Sequence, residues 1–176
     1  MVSELNDLLT RNNIKIENFE VVVYQYFILS VFEDLTLYLR KGNNKKAFRK
    51  ILRNSTDKDL EVRKIVGRIT GLDLNDKEIA RILELILAFY NKRDTREGVS
   101  KETKVLLLES QRYKCKICGE HINLKNSHYD HIVPWSLVGD ELKDNYQMLC
   151  EGCNLRKKNS IIFGVKEFFK NRNKVM

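Results

Sequence analysis

Four cysteines, all placed in two Cys-x-x-Cys pairs, constrain this chain more than any other feature. Cys115 pairs with Cys118 and Cys150 with Cys153, 31 residues lie between the pairs, and no cysteine is left over. A disulfide framework needs an oxidising compartment. The N-terminus, Met-Val-Ser-Glu-Leu-Asn-Asp, carries acids early and lacks the positive-then-apolar pattern of a secretory signal, so a cytoplasmic location is expected. One Cys-x-x-Cys would also suit redox chemistry, but two of them beside basic residues, without a βαβ pattern around either, read as a metal site. Four thiolates at these spacings suit a closed tetrahedral zinc that staples a small fold.

Between and just after the pairs stand harder ligands: Asp130-His131-Ile-Val-Pro134, then Asn145, then Asn154 directly following Cys153. A carboxylate, an amide oxygen and an imidazole suit a magnesium-like ion and a general base. Taken singly each has a plain explanation. His131 can pack or cap, Asn145 is a common turn residue, and Asn154 can stabilise a zinc-knuckle turn. The joint spacing argues otherwise, because the cysteines fix both ends of the loop and bring Asp130, Asn145 and Asn154 towards one centre.

Over about forty residues this pattern resembles the HNH endonucleases, the ββα-metal family, in their four-cysteine form. That family reads Cys-x-x-Cys, Asp-His-Ile-x-Pro, thirteen residues to an Asn, then Leu-Cys-x-x-Cys-(His or Asn)-x-x-Lys. Here thirteen residues separate His131 from Asn145, Leu149 precedes Cys150, and Asn154 and Lys157 fall in register. Asn154 in place of the second histidine makes this a His-Asn-Asn variant. Val138 departs from the usual Gly-Gly pair, of which Gly139 remains, so the loop path is expected to differ.

The resemblance implies a set of roles. His131 would be the general base that deprotonates the attacking water, and Asn145 would orient it. Asp130 and Asn154 would ligate one divalent ion, Mg2+ or another such as Mn2+. Lys157 would face a phosphate, with Arg156 and Lys158 as further phosphate contacts, and Cys115, Cys118, Cys150 and Cys153 would hold a structural Zn2+. His121 and His128 stay outside this core assignment.

The rest of the chain reads as helical. Residues 2 to 12 are amphipathic, with Leu5, Leu8 and Leu9 on one side. Phe19 to Leu39 is the most apolar stretch, but Glu20, Gln25, Glu33 and Asp34 interrupt it. A bilayer span needs about 20 mostly apolar residues, so a buried central helix is expected instead, with a strand as the alternative. Asp59 to Thr70 repeats the helical period and Gly71 is placed to stop it, while Asn75 or Asp76 can cap the run from Ile79 to Tyr90. Asn91 to Lys101 reads as a linker. Thr103 to Arg112 reads as a short helix with Val105, Leu106 and Leu108 inward, and Ile161 to Lys174 as a basic helical tail. The expected fold is α+β: a helical domain over residues 1–95, then a zinc-stapled HNH nuclease domain over 96–176.

Charge adds a partner. Lys and Arg number 32 against 24 Asp and Glu, a net of +8, which favours an anionic partner such as nucleic acid. Arg40 to Arg53 holds seven basic residues and no acid, with Lys45, Lys46, Arg49 and Lys50 opposite an apolar face of Ala47, Phe48, Ile51 and Leu52. Such a helix can lie along phosphates or merely present a solvated face.

The chain is therefore expected to be a metal-dependent endonuclease acting on double-stranded DNA, serving restriction, anti-phage defence or a mobile element. The alternatives are a non-catalytic zinc knuckle that binds nucleic acid, and a nuclease for RNA or single strands. Oligomeric state, a dimer included, stays open.

Overall fold

The computed structural model describes residues 2–11, 16–160 and 163. Helices α1 (Val2–Arg11), α2 (Ile16–Leu39), α3 (Asn44–Asn54), α4 (Lys58–Thr70) and α5 (Asp76–Asn91) come first. Then follow α6 (Lys101–Ser110), strand β1 (Ser127–His131), the single turn α7 (Trp135–Val138), strand β2 (Tyr146–Cys150) and α8 (Glu151–Lys157). The fold is thus α+β, a helical N-terminal part followed by an antiparallel strand pair and its helix.

The helical ends follow their sequence signals. Asp57 accepts a hydrogen bond from Leu60 N at the start of α4, and Gly71 ends that helix in the left-handed region at φ 72°. Asn75 and Glu78 form a reciprocal capping box on α5, a cap of the kind worth about 1 kcal/mol. The apolar stretch is helix α2, whose Phe32, Leu35 and Leu39 are buried against Val62, Ile65 and Val66 of α4 and Ile79, Ile82, Leu85 and Ile86 of α5. Among the described residues no helix is long and apolar enough to cross a membrane.

This bundle core does not stop at the end of α5. Val133, Val138 and Leu142, from the segment between β1 and β2, belong to the same buried cluster, with Leu137 packed against it. The loop that follows His131 therefore lies on the helical bundle, and α7 packs on α5. Val138 is fully buried there, which explains why a valine stands where glycine is usual. Gly139 is still required, because its φ is +63° and a Cβ would come within 3.0 Å of Lys92 Cγ.

A second, smaller cluster holds Leu108, Cys115, Ile122, Met148, Leu149 and Cys153. Helix α6 meets it through Leu108, with Leu107 alongside. Leu106, expected inward, is 65% exposed. The turn of the helix places Leu108 between Leu107 and Val105, which are half-buried on either side of it. Apart from Phe163, which is buried, the expected tail helix lies outside the described residues.

Candidate active site and metal centre

β1 and β2 pair antiparallel from Ser127 opposite Cys150 to His131 opposite Tyr146. The hairpin has two functional ends, one with sulfur ligands and one with the Asp-His pair. At the sulfur end, Gln111 ties the end of α6 to β2, donating to Met148 O and accepting from Met148 N. The first cysteine turn closes through Gly119 N to Cys115 O at 2.9 Å and Cys115 N to Glu120 O at 2.8 Å. Cys150 caps α8, whose first turn carries Cys153.

The four sulfurs all lie within 4.8 Å of one another, and Cys118 and Cys150 are 3.7 Å apart. A tetrahedral ion with arms of about 2.3 Å would set sulfurs about 3.8 Å apart. The donor set and its dimensions therefore fit a closed thiolate metal site. Its electrostatics ask for a cation. Burial, with Cys118 and the charge of Cys115 added, pushes the Cys150 thiol up to about 11. Burial and the other three sulfurs push Cys153 higher still. Cys115 lies below the ordinary thiol value: burial opposes this, and the N–H groups of Cys118, Cys150 and Ile117 outweigh it. Arg156 donates to Cys153 Sγ at 3.3 Å, so it braces a sulfur.

At the other end, Asp130 Oδ2 accepts from Gln147 Nε2 and from Lys157 Nζ, each at 3.0 Å. Oδ1 has no partner among the described residues, which leaves one carboxylate oxygen for a cation. Lys157, expected on a phosphate, is instead buried at 4% exposure and also donates to His131 O at 2.6 Å. The turn of α8 after Asn154 points inward, and the half-buried carboxylate of Asp130 captures the lysine. Asn154 is half-buried three residues earlier, and its side chain has no hydrogen-bond partner among the described residues.

Asn145 is buried, and its side chain bonds the backbone of Val133 in both directions, accepting from N at 2.7 Å and donating to O at 2.9 Å. Its own carbonyl accepts from Ile132 N at 2.9 Å. It therefore staples the chain just after His131 and does not bond the imidazole.

The imidazole of His131 is 2% exposed. The ring of Tyr146 lies 5.0 Å from it and that of Tyr129 6.0 Å, both edge-on, and the two tyrosines stack on each other at 4.9 Å. Nε2 is 2.8 Å from Asp140 Oδ1, and Arg96 Nη2 is 3.5 Å from Nδ1. Asp140 also accepts from the indole of Trp135 and the backbone of Glu97, both on Oδ2 at 3.0 Å. Burial lowers the His131 pKa, and the hydrogen bond and charge of Asp140 offset it only in part. Both the direction of the shift and its cause favour the neutral ring, the state a base requires. Asp140 lies below the usual carboxylate range: burial opposes this, and its bonds to Glu97, Trp135 and His131 outweigh it.

Asp140 and Arg96 carry no mark in the sequence. One sits in a loop identified only by its glycine, and the other lies in the charged stretch expected to be a linker. That stretch is part of the site. His128 is exposed on β1 and His121 is exposed against Tyr113.

On α3, Phe48 and Leu52 are buried, while Ala47 and Ile51 are exposed. The basic residues divide. All four are exposed, but Lys45 Nζ lies 4.4 Å from the centre of the Phe89 ring and Arg49 lies over Tyr90 at 5.7 Å, whereas Lys46 and Lys50 lie over no ring among the described residues. Burial, then Arg49, Arg40 and Lys92, lower the Lys45 pKa, the mark of a cluster of cations. Lys92 continues it onto the ring of Trp135 at 4.2 Å. Lys158, just past α8, is exposed.

A strand pair and a short helix with a four-sulfur centre at one end and an Asp-His pair at the other define a metal-stapled ββα unit. Residues 115–160 match the family described as HNH endonuclease. That stretch is an HNH domain, and its four cysteines, arranged to bind a metal, are consistent with a zinc-containing form. An HNH domain implies nuclease-type chemistry and a nucleic-acid substrate. No curated protein and no solved structure matches the chain.

Proposed function

We propose that this chain is a metal-dependent endonuclease that hydrolyses phosphodiester bonds in double-stranded DNA. The observation that carries the proposal is the pairing, at one strand end, of an Asp130 carboxylate oxygen that has no partner among the described residues with the buried imidazole of His131. A zinc knuckle that only bound nucleic acid would have no use for that pair. Cys115, Cys118, Cys150 and Cys153 would hold a zinc that secures the hairpin, and Asp130 and Asn154 would hold Mg2+ or Mn2+. An ion there supplies positive charge to the scissile phosphate and its leaving oxygen.

The chain's own groups do the rest. His131 takes a proton from water, Lys157 fixes Asp130 and the His131 carbonyl, and Asn145 fixes the backbone beyond them. Lys46, Lys50 and Lys158, which lie over no ring among the described residues, are the first phosphate contacts, with Lys45 and Arg49 exposed beside them, and the helical part over residues 1–95 contributes affinity rather than chemistry. Restriction, anti-phage defence or mobility of a genetic element are the settings that such an activity serves, in the cytoplasm.

The test is cleavage of plasmid, methylated plasmid, single-stranded DNA and RNA with and without Mg2+ or Mn2+, beside His131→Ala, Asp130→Ala and Asn154→Ala. Plasmid cutting that needs the added ion and is lost in folded, DNA-binding His131→Ala is expected. Asp130→Ala should lose cutting and ion binding together, and Asn154→Ala should recover in part at higher ion concentration. A His131→Ala protein that cuts at near wild-type rate would remove the base assignment. Cutting by no preparation under any ion would leave the knuckle.

A further inference from the structure

The geometry points to Asp140 as the positioning residue of the site, holding His131 in the tautomer with its proton on Nε2 and its lone pair on Nδ1, where the attacking water would displace the long contact from Arg96. This rests on His131 as the base. Two contacts bear on that tautomer. A carboxylate only accepts, so the nitrogen 2.8 Å from Asp140 Oδ1 must carry the proton. A guanidinium only donates, so the long 3.5 Å contact from Arg96 Nη2 to the other nitrogen agrees with a lone pair there. Both fit a proton on Nε2.

Asp140 is itself held. Its Oδ2 is occupied by the Trp135 indole and the Glu97 N–H, which leaves Oδ1 turned to the imidazole. Asn145, the residue the family pattern suggests for orienting the histidine, spends its side chain on the Val133 backbone. Asp140 is therefore the group that sets the ring. In the hydrolytic step the water oxygen bonds to phosphorus as one of its protons passes to Nδ1. The bond to the leaving oxygen breaks with its electron pair. The imidazolium then carries N–H on both nitrogens, and Asp140 still accepts from Nε2.

The same contacts make an unusual demand of Asp140→Asn. Trp135 and Glu97 both donate to the Oδ2 position, so the amide must place its oxygen there and turn its NH2 towards His131. The imidazole must then accept at Nε2 and carry its proton on Nδ1, with the long Arg96 contact given up. The change is nearly isosteric, so zinc content and the Michaelis constant for plasmid should hold, while kcat falls by about 10²-fold or more.

Ring 15N NMR of the zinc-loaded full chain reads the tautomer directly, since the sequence has three histidines and His131→Ala assigns the signal. The wild type should show a protonated Nε2 and a bare Nδ1, and Asp140→Asn the reverse. A wild-type His131 protonated on Nδ1 would overturn the proposal without recourse to any kinetic comparison. So would an Asp140→Asn enzyme that cuts as fast as wild type while His131→Ala is inactive. If His131→Ala itself still cuts, the base assignment fails and the role of Asp140 falls with it.

Discussion

Lys157 Nζ lies 3.0 Å from Asp130 Oδ2 and 2.6 Å from the carbonyl of His131, so the lysine nearest the catalytic pair faces inward. Its charge is spent on the carboxylate that is left to hold a cation. With Lys157 buried and Asp130 17% exposed, removing the lysine costs on the order of 3 kcal/mol at most. Lys157→Met should therefore lower the midpoint of urea unfolding, yet leave the salt dependence of DNA binding unchanged. A fall in the salt slope would return Lys157 to the phosphates.

The sulfur centre should hold one zinc per chain, measured by elemental analysis. Cys150→Ser should lose it, because burial and crowding raise two of the four thiols and only a cation compensates all of them together. The loss should be local at first. Amide exchange at Met148 and Leu149, in the small cluster, should rise well before that of α5 in the bundle core.

The basic residues of α3 should separate by experiment as they do in space. Lys46→Gln with Lys50→Gln should leave stability within about 0.5 kcal/mol and flatten the salt dependence of binding by roughly 0.9 in log–log slope for each phosphate no longer neutralised. Lys45→Ala and Arg49→Ala should instead lower thermal stability, because both cations lie over the rings of α5. Equal salt effects from the two pairs would contradict this division.

Alkaline pH should act through Tyr90. Burial raises its hydroxyl to about 12 from 10.0, and the hydroxyl donates to Lys45 O at 3.0 Å. Between those values the unfolded chain ionises while the folded chain retains the proton, so this stability is complete below pH 10 and is lost as pH rises towards about 12. Tyr90→Phe should remove that share of the decline in denaturation measured across the window, leaving the parts due to Tyr129 and Tyr146, which burial also raises.

Much of this was legible because it is local. Helix caps such as Asn75 with Glu78, the stop at Gly71 and the two Cys-x-x-Cys pairs are written in residues a few positions apart, and the structure places them as their chemistry requires. Asp130 and His131 could be chosen from their spacing to the cysteines. What spacing does not encode is who meets whom across the fold. Lys157 was in the right place along the chain but turns to the carboxylate. Asn145 braces the backbone beyond the histidine. Asp140 and Arg96 reach the imidazole only because the loop and the connector fold over it, and neither belongs to a short pattern. On α6 the inward side carries Leu107 in place of Leu106, since the two leucines differ only in what packs against them.

The buried valine at position 138 changes how separable the nuclease segment is. Family resemblance covers residues 115–160, which invites the view of a cassette that can be moved between proteins. Val133, Val138 and Leu142 belong to the bundle's interior, and the connector contributes Arg96 and Glu97 to the imidazole and its carboxylate. Grafted elsewhere, the segment would carry the sulfurs, the carboxylate and the imidazole intact. It would also leave three apolar side chains facing water, and the loop bearing Asp140 with nothing beneath it.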